Sequence, residues 1–197
     1  MWRGSLSFET PTLFSIAFVI LFTIGGFSGL MLAMTPVDFQ YHDTYFVVAH
    51  FHYVLVTGSL FSIFAGAYYW LPKWTGYMYN DTLSKWHFWC SLISVNLLFF
   101  PMHFLGLAGM PRRIPDYPDA YAAWNYLASF GSYFTTVGIL LFFVIIYLTL
   151  TSGEVCPADP WGTLDHDGTS SSLEWMVGSP PAFHTFCEIP RIYIAIR

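Results

Sequence analysis

The chain has 197 residues, of which 55% are hydrophobic, 21% are aromatic and only 10% are charged. Soluble domains usually carry about a quarter charged residues, and a soluble domain this apolar would aggregate through its surface. The seven Lys and Arg residues form no basic patch, so no nucleic-acid partner is expected. The formal net charge of −5 comes mainly from acids in loops and near the C-terminus, and the predicted environment is a lipid bilayer.

Four stretches are apolar over the length of about 20 residues that a helix needs to cross a bilayer core. They run from Leu13 to Met34, Thr44 to Leu71, Trp86 to Leu107 and roughly Ala128 to Leu150. We therefore predict an all-α membrane protein. Residues 1–151 would form a four-helix transmembrane segment, and residues 152–197 an irregular extramembrane tail. No cleavable signal is visible before the first stretch, so we expect either prior removal of a targeting peptide or insertion where the chain is made.

Glycines and charges indicate how the spans are arranged. Gly25, Gly26 and Gly29 in the first span would allow another helix to approach closely. Four spans place both termini on one side, which is the side that carries most of the cationic residues: Arg3, Lys73, Lys85, Arg191 and Arg197. The adjacent pair Arg112 and Arg113 falls on the opposite side, against the positive-inside rule, and so requires a separate reason.

His42 and Asp43 stand at the membrane surface just before the second span. An imidazole beside a carboxylate suits a divalent cation that is completed by waters and a further carboxylate. Asp43 equally suits the first turn of a helix, where a negative charge complements the helix dipole. Taken alone, the pair favours the second interpretation.

His50 and His52 lie inside the second span, where ionisable side chains are costly and usually functional. Residues two apart on a helix differ by about 200° in rotation and about 3 Å in rise, so these imidazoles point in opposite directions and cannot share one metal ion. Two haems, one on each side of the helix, would each receive one axial imidazole. Phe51 would then lie between the haems. The alternative is a pair of buried histidines that are hydrogen-bonded to other helices.

Arg112 and Arg113 lie on the same side as His42, in a loop rich in proline. Haem propionates are carboxylates, and the guanidinium group is the cation best matched to a carboxylate. The competing interpretation is a pair of arginines that snorkel to lipid headgroups. His87 and His103 in the third span are interpreted as structural, and His166, His184, Cys90, Cys156 and Cys187 show no site pattern.

Two segments resemble the catalytic subunit of haem–copper cytochrome c oxidases. They are HDTYFVVAHFHYV at 42–54 and FFPMHFLGLAGMPRRIPDYPDA at 99–120. The likeness extends from Met1 to about Thr151, and PPAFHTF at 180–186 looks like the end of the same subunit. It implies that His50 is the axial ligand of the high-spin, oxygen-binding haem a3, and that His52 is one axial ligand of the low-spin haem a. It also implies a Mg ion at His42 and Asp43, and propionate contacts for Arg112, Arg113 and Asp38.

The resemblance covers the last four of the twelve spans that this family has. It implies a split subunit, completed by a chain that carries the first eight helices and binds copper B. The other implied partners are subunit II with copper A, further oxidase subunits, cytochrome c and membrane lipids. The assembled enzyme would pass electrons from cytochrome c to O2 and pump protons, in the mitochondrial inner membrane with both termini on the matrix side, or alternatively in a bacterial plasma membrane.

Three alternatives remain open at this point. One is a quinol oxidase of the same superfamily, which differs in its electron donor. Another is an inert structural or assembly protein that has kept the motif, and the third is a di-haem electron carrier without oxygen chemistry.

Overall fold

The computed structural model describes Gly4 and residues 6–162 and 172–183, which are largely helical. The helices are α1 (Thr10–Ala33), α2 (Thr35–Tyr41), α3 (Tyr45–His52), a π-helix (Tyr53–Leu60), α4 (Phe61–Thr75), α5 (Asp81–Leu107) and α6 (Ala122–Ser152). Short 3-10 turns cover Asp119–Tyr121 and Leu173–Trp175. The two-residue strands β1 (Tyr77–Met78) and β2 (Glu154–Val155) pair in antiparallel register.

Four helical stretches are long and apolar enough to cross a membrane: Thr10–Ala33, Tyr45–Thr75, Asp81–Leu107 and Asp119–Ser152. The predicted fold class, an all-α protein with four transmembrane helices, is thereby confirmed. The second stretch continues through Pro72, because a proline in the last turn removes only one helix hydrogen bond. It ends at Thr75. The third begins at Asp81, well before the apolar run, because the Asn80 side chain caps it by accepting from the Leu83 N–H at 3.0 Å.

Glycines set the distance between the helices at two crossings. A methyl group at Gly29 of α1 would stand 2.5 Å from Cε1 of His50, and one at Gly25 would stand 2.9 Å from Cβ of Tyr53. A methyl group at Gly106 of α5 would overlap the backbone of Phe46 in α3. Gly26 has no heavy atom of the described residues within 4 Å of the same point, and the approach of another helix at this position stays a prediction.

Aromatic side chains fill the core between α1, α4 and α5. Phe14 is fully buried, with its ring edge-on to Phe61 at 5.4 Å and to Phe88 at 5.1 Å, and stacked on Tyr68 at 5.8 Å. Such pairs add stability beyond the burial of their area. On α6, by contrast, the outward side chains are large, apolar and exposed, as expected of a surface in contact with lipid: Tyr126, Phe130, Tyr133, Val137, Leu140 and Phe143.

The segment after α6 folds back onto the end of α4. The buried Lys73 donates from Nζ to the carbonyls of Ala158 and Val177, at 2.9 and 2.8 Å. Tyr69, one turn earlier, stacks on Trp161 and accepts a hydrogen bond from Trp175 Nε1 at 2.9 Å. Several residues considered in the sequence lie outside the described ranges: Arg3, His166, His184, Cys187, Arg191, Arg197 and residues 185–186.

Candidate functional site

The His50 imidazole faces the first span. Its Nδ1 lies 2.8 Å from the carbonyl oxygen of Gly25 and 3.2 Å from the hydroxyl oxygen of Ser28. A carbonyl can only accept, so Nδ1 carries the proton and donates it there. The ring occupies the space that a side chain at position 29 would fill.

The His52 imidazole faces the third span instead. Its ring stacks on Phe99 with a centroid distance of 4.2 Å and an interplanar angle of 11°. Nδ1 lies 2.7 Å from the carbonyl oxygen of Val48, one turn back in its own helix, and therefore also carries a proton. The opposite orientation expected from helix geometry is thus present, with α1 on one side of the histidine pair and α5 on the other.

Both imidazoles therefore have the same protonation pattern. Each has Nδ1–H hydrogen-bonded to a backbone carbonyl. The lone pair of Nε2 is therefore available to coordinate a metal. A backbone acceptor on the remote nitrogen is the usual support of a metal-bound histidine, since it sets the tautomer and the ring orientation.

A π-helix begins directly after His52 and runs from Tyr53 to Leu60. Such wide turns are rare and often occur at functional sites. The hydroxyl of Thr57 donates to the Tyr53 carbonyl, and Gly58 weakens the helix at the same place. A mid-span cluster of Thr, Gly and Ser was the only sequence signal for this feature.

Backbone pairing joins the two loops that contain His42 and the arginines. The N–H of Arg112 donates to the Asp43 carbonyl at 2.8 Å, and the N–H of Tyr45 donates to the Met110 carbonyl at 3.0 Å. Thr44 and Pro111 form an isolated bridge between these contacts. The predicted placement of both loops on one side is therefore accompanied by direct contact.

The same loops hold two residues with unusual backbone angles, Asp43 at φ 53° and Arg113 at φ 62°. A positive φ costs a residue with a side chain about 1–3 kcal/mol and tends to occur at functional sites. Asp43 also does not cap the second span. That role belongs to Thr44, whose side chain accepts from the Phe46 N–H at 3.2 Å, so Asp43 lies before the helix and not in its first turn, which corrects the favoured interpretation.

The remaining predicted residues surround this junction. Nε2 of His42 lies 3.2 Å from a carboxylate oxygen of Asp43, and both side chains are exposed. The guanidinium carbon of Arg112 stands 5.9 Å from the centre of the Phe51 ring, which itself lies 4.4 Å from the His52 ring. Asp38 lies in α2, where its carbonyl accepts from the His42 N–H at 2.7 Å.

The two other histidines of the described spans have structural surroundings. His87 is buried among aromatic rings, with Nδ1 2.9 Å from the Tyr68 hydroxyl. His103 packs edge-on against Phe46 and Tyr53 at 5.3 and 5.4 Å. Within the described part of the chain, no group of three or more His, Cys, Asp or Glu side chains could together hold a metal ion.

Two residues that contact the histidine pair were not predicted from the sequence. Phe99 gave no signal among the many aromatic residues of the third span, and Ser28 looked like one small residue among the glycines of the first. Only the crossing of the helices brings Phe99 to His52 and Ser28 to His50.

Comparison with known proteins places this geometry in a family. The family described as cytochrome c and quinol oxidase polypeptide I matches residues 1–150. Cytochrome c oxidase subunit 1 of Cereibacter sphaeroides is 46% identical over 97% of the chain, and that of Yarrowia lipolytica is 46% identical over 94%. The Eremothecium gossypii subunit is 45% identical over 94%.

The chain spans only 33–38% of the length of these relatives. A solved structure, described as a heme-copper terminal oxidase dimer, has the same fold over 94% of this chain and 32% of its own, with a TM-score of 0.67 and 21% identity. These likenesses agree with the four apolar helices and with the orientation of the histidine pair. The chain belongs to the cytochrome c and quinol oxidase polypeptide I family.

Proposed function

We propose that this chain supplies axial imidazoles to two haems of an oxidase that transfers electrons from cytochrome c to O2 and pumps protons. The observation that carries the proposal is the matched pair of histidines. His50 and His52 turn to different helices, and each binds a backbone carbonyl through Nδ1. Each Nε2 is then an available ligand, for haem a3 at His50 and for the low-spin haem a at His52.

When bound, the two haems would supply electron transfer, and the high-spin haem would supply the site at which O2 is bound and reduced. The residues of this chain hold and orient them. Gly25 and Val48 keep the imidazoles in the tautomer that leaves Nε2 free, and the Phe99 ring fixes the plane of His52 by stacking. Phe51, between the two ligands in sequence, would separate the haems.

Arg112 and Arg113 would bind the haem propionates. Arg112 already stands over Phe51, at the level of the histidine pair, and its loop is paired with the start of the second span. Guanidinium groups match carboxylates through paired hydrogen bonds. Asp38, just before this loop junction, would lie near the propionates of the oxygen-binding haem.

His42 and Asp43 would provide two ligands of a Mg ion. They are adjacent and exposed, and the positive φ of Asp43 turns this segment at the surface. Because the described residues offer no third ligand in the same group, the remaining ligands would come from waters and subunit II. Growth in manganese should give a paramagnetic signal at this site, and persistence of that signal in Asp43→Ala would refute the assignment.

The proposed assembly contains a chain with the first eight helices and copper B, subunit II with copper A, and other oxidase subunits. The proposed location is the mitochondrial inner membrane, with both termini in the matrix, or else a bacterial plasma membrane. The curated relatives named above come from one bacterium and two yeasts, and they fit both locations.

Optical spectra of the purified complex test the central proposal. His52→Ala should abolish the low-spin haem band and leave the high-spin band, whereas His50→Ala should do the reverse. The matched control is His87→Gln, which changes a buried histidine on another span that is bonded to Tyr68. This control should keep both bands, and unchanged spectra in both alanine variants would reject the proposed ligands.

A quinol oxidase is the second candidate, since the matching family includes both kinds of enzyme. The relatives named above are cytochrome c oxidases, which favours cytochrome c as the donor. Oxygen uptake with reduced cytochrome c, but not with a quinol, is expected. The opposite preference would favour the second candidate.

A further inference from the structure

The Ser28 hydroxyl contacts the same carbonyl oxygen as the His50 imidazole. Ser28 is 6% exposed, and its Oγ donates to the Gly25 carbonyl at 2.8 Å. The same carbonyl accepts from His50 Nδ1 at 2.8 Å, and Oγ itself lies 3.2 Å from that nitrogen. Serine, carbonyl and imidazole thus form a closed triangle of short polar contacts.

The Gly25 carbonyl is shared among more donors than it has lone pairs. It lies inside α1, so the N–H of Gly29 reaches it through the helix hydrogen-bond pattern, in addition to the hydroxyl and the imidazole. A carbonyl oxygen offers two lone pairs. The Ser28 hydroxyl therefore competes with His50 and weakens the hydrogen bond that the imidazole donates.

The His50 ring lies directly against α1, beside the acceptor that it shares with Ser28. Its Cε1 lies 2.5 Å from where a side chain would begin at Gly29, so the ring is pressed against the helix. A change at the shared carbonyl therefore acts on the electron density of the ring through the Nδ1 hydrogen bond of 2.8 Å.

We propose that Ser28 is a positioning residue that limits electron donation from His50. A stronger hydrogen bond at Nδ1 makes the imidazole a better donor at Nε2, and the hydroxyl holds that bond below its full strength. This inference rests on the proposed function, in which Nε2 of His50 binds the iron of the oxygen-binding haem. It adds a residue on another helix that adjusts the ligand through the Gly25 carbonyl that both share.

The test uses the complete oxidase with Ser28→Ala and Ser28→Thr. The alanine variant removes one oxygen atom and has the better helix former, so the helix is retained. Resonance Raman spectra of the reduced enzyme should show the iron–histidine stretching band at higher frequency in Ser28→Ala, and the midpoint potential of the high-spin haem should fall. Ser28→Thr keeps the hydroxyl and should keep both values.

Ser15→Ala is the matched control, because Ser15 lies on the same helix and donates to the Pro11 carbonyl at 2.9 Å, away from the histidines. It should change neither value. An unchanged band in Ser28→Ala, or an equal shift in Ser28→Thr, would overturn the inference. If His50→Ala still shows the high-spin haem, the proposed function fails instead, so the two failures are distinguishable.

Discussion

Replacement of Lys73 by Met should release the segment after α6 from the end of α4. Lys73 is 5% exposed, and its ammonium group donates to the carbonyls of Ala158 and Val177 and lies 5.1 Å from the centre of the Trp175 ring. Methionine keeps most of the apolar stem and removes the charge. The two carbonyls then lose the hydrogen bonds from Lys73 while the segment stays docked.

The expected cost follows from these contacts. Ala158 is exposed and Val177 is half-buried, so each lost hydrogen bond costs about 0.5–1.5 kcal/mol, and the lost cation–π contact adds about 0.5–2 kcal/mol. Loss of the buried charge recovers part of this, because burying an ammonium group is itself costly. A net cost of about 1–3 kcal/mol corresponds to a roughly 5- to 150-fold larger undocked fraction.

Hydrogen exchange of the purified complex, read by mass spectrometry, measures this fraction. Amides of residues 172–183 should exchange faster in Lys73→Met by that factor, since local opening governs exchange. Lys85→Met is the matched control, because Lys85 makes a partly exposed pair with Asp81 at 2.6 Å that is worth only about 0.3–0.5 kcal/mol. Equal protection of residues 172–183 in Lys73→Met and the parent would refute the reasoning.

Three further predictions concern single positions. Gly29→Ala should displace the His50 ring and reduce the high-spin haem band, whereas Gly26→Ala, which meets no atom within 4 Å, should leave the optical spectrum unchanged. Gly106→Ala should lower the thermal midpoint through about 1–3 kcal/mol of overpacking against the second span; an unchanged midpoint would contradict the described crossing. Burial raises the pKa of the Cys156 thiol, so docking of its segment is fully stable below the ordinary thiol pKa of about 8.5 and weakens as the pH rises above it. Its alkylation should therefore begin at higher pH than that of a free thiol, and an undisplaced pH profile would contradict this.

Local rules were sufficient wherever a property depends on nearby residues. Apolar runs predicted four helices, and four are present among the described residues. The rotation per residue of an α-helix predicted that His50 and His52 point apart, because two residues of one helix keep their relative angle whatever surrounds them. Helix ends were predicted less well, since polar caps such as Asn80 extend a helix beyond its apolar part.

Contacts between distant segments could not be predicted in the same way. Nothing near position 28 indicates that its hydroxyl will meet an imidazole 22 residues later. The pairing of Asp43 with Arg112 likewise depends on where the second and third spans cross. Sidedness predicted that both loops share one surface, but not that they touch.

Hydropathy and helical period are local properties, and they were sufficient to predict a lipid environment, four helices and the divergence of His50 and His52. The atoms that those histidines contact depend on how the helices pack, and so does the burial of Lys73, expected as a charge at the membrane surface, under a later segment. The physical reason is that a partner is selected by the packing of whole helices, and this packing balances many weak contacts that are far apart in the chain.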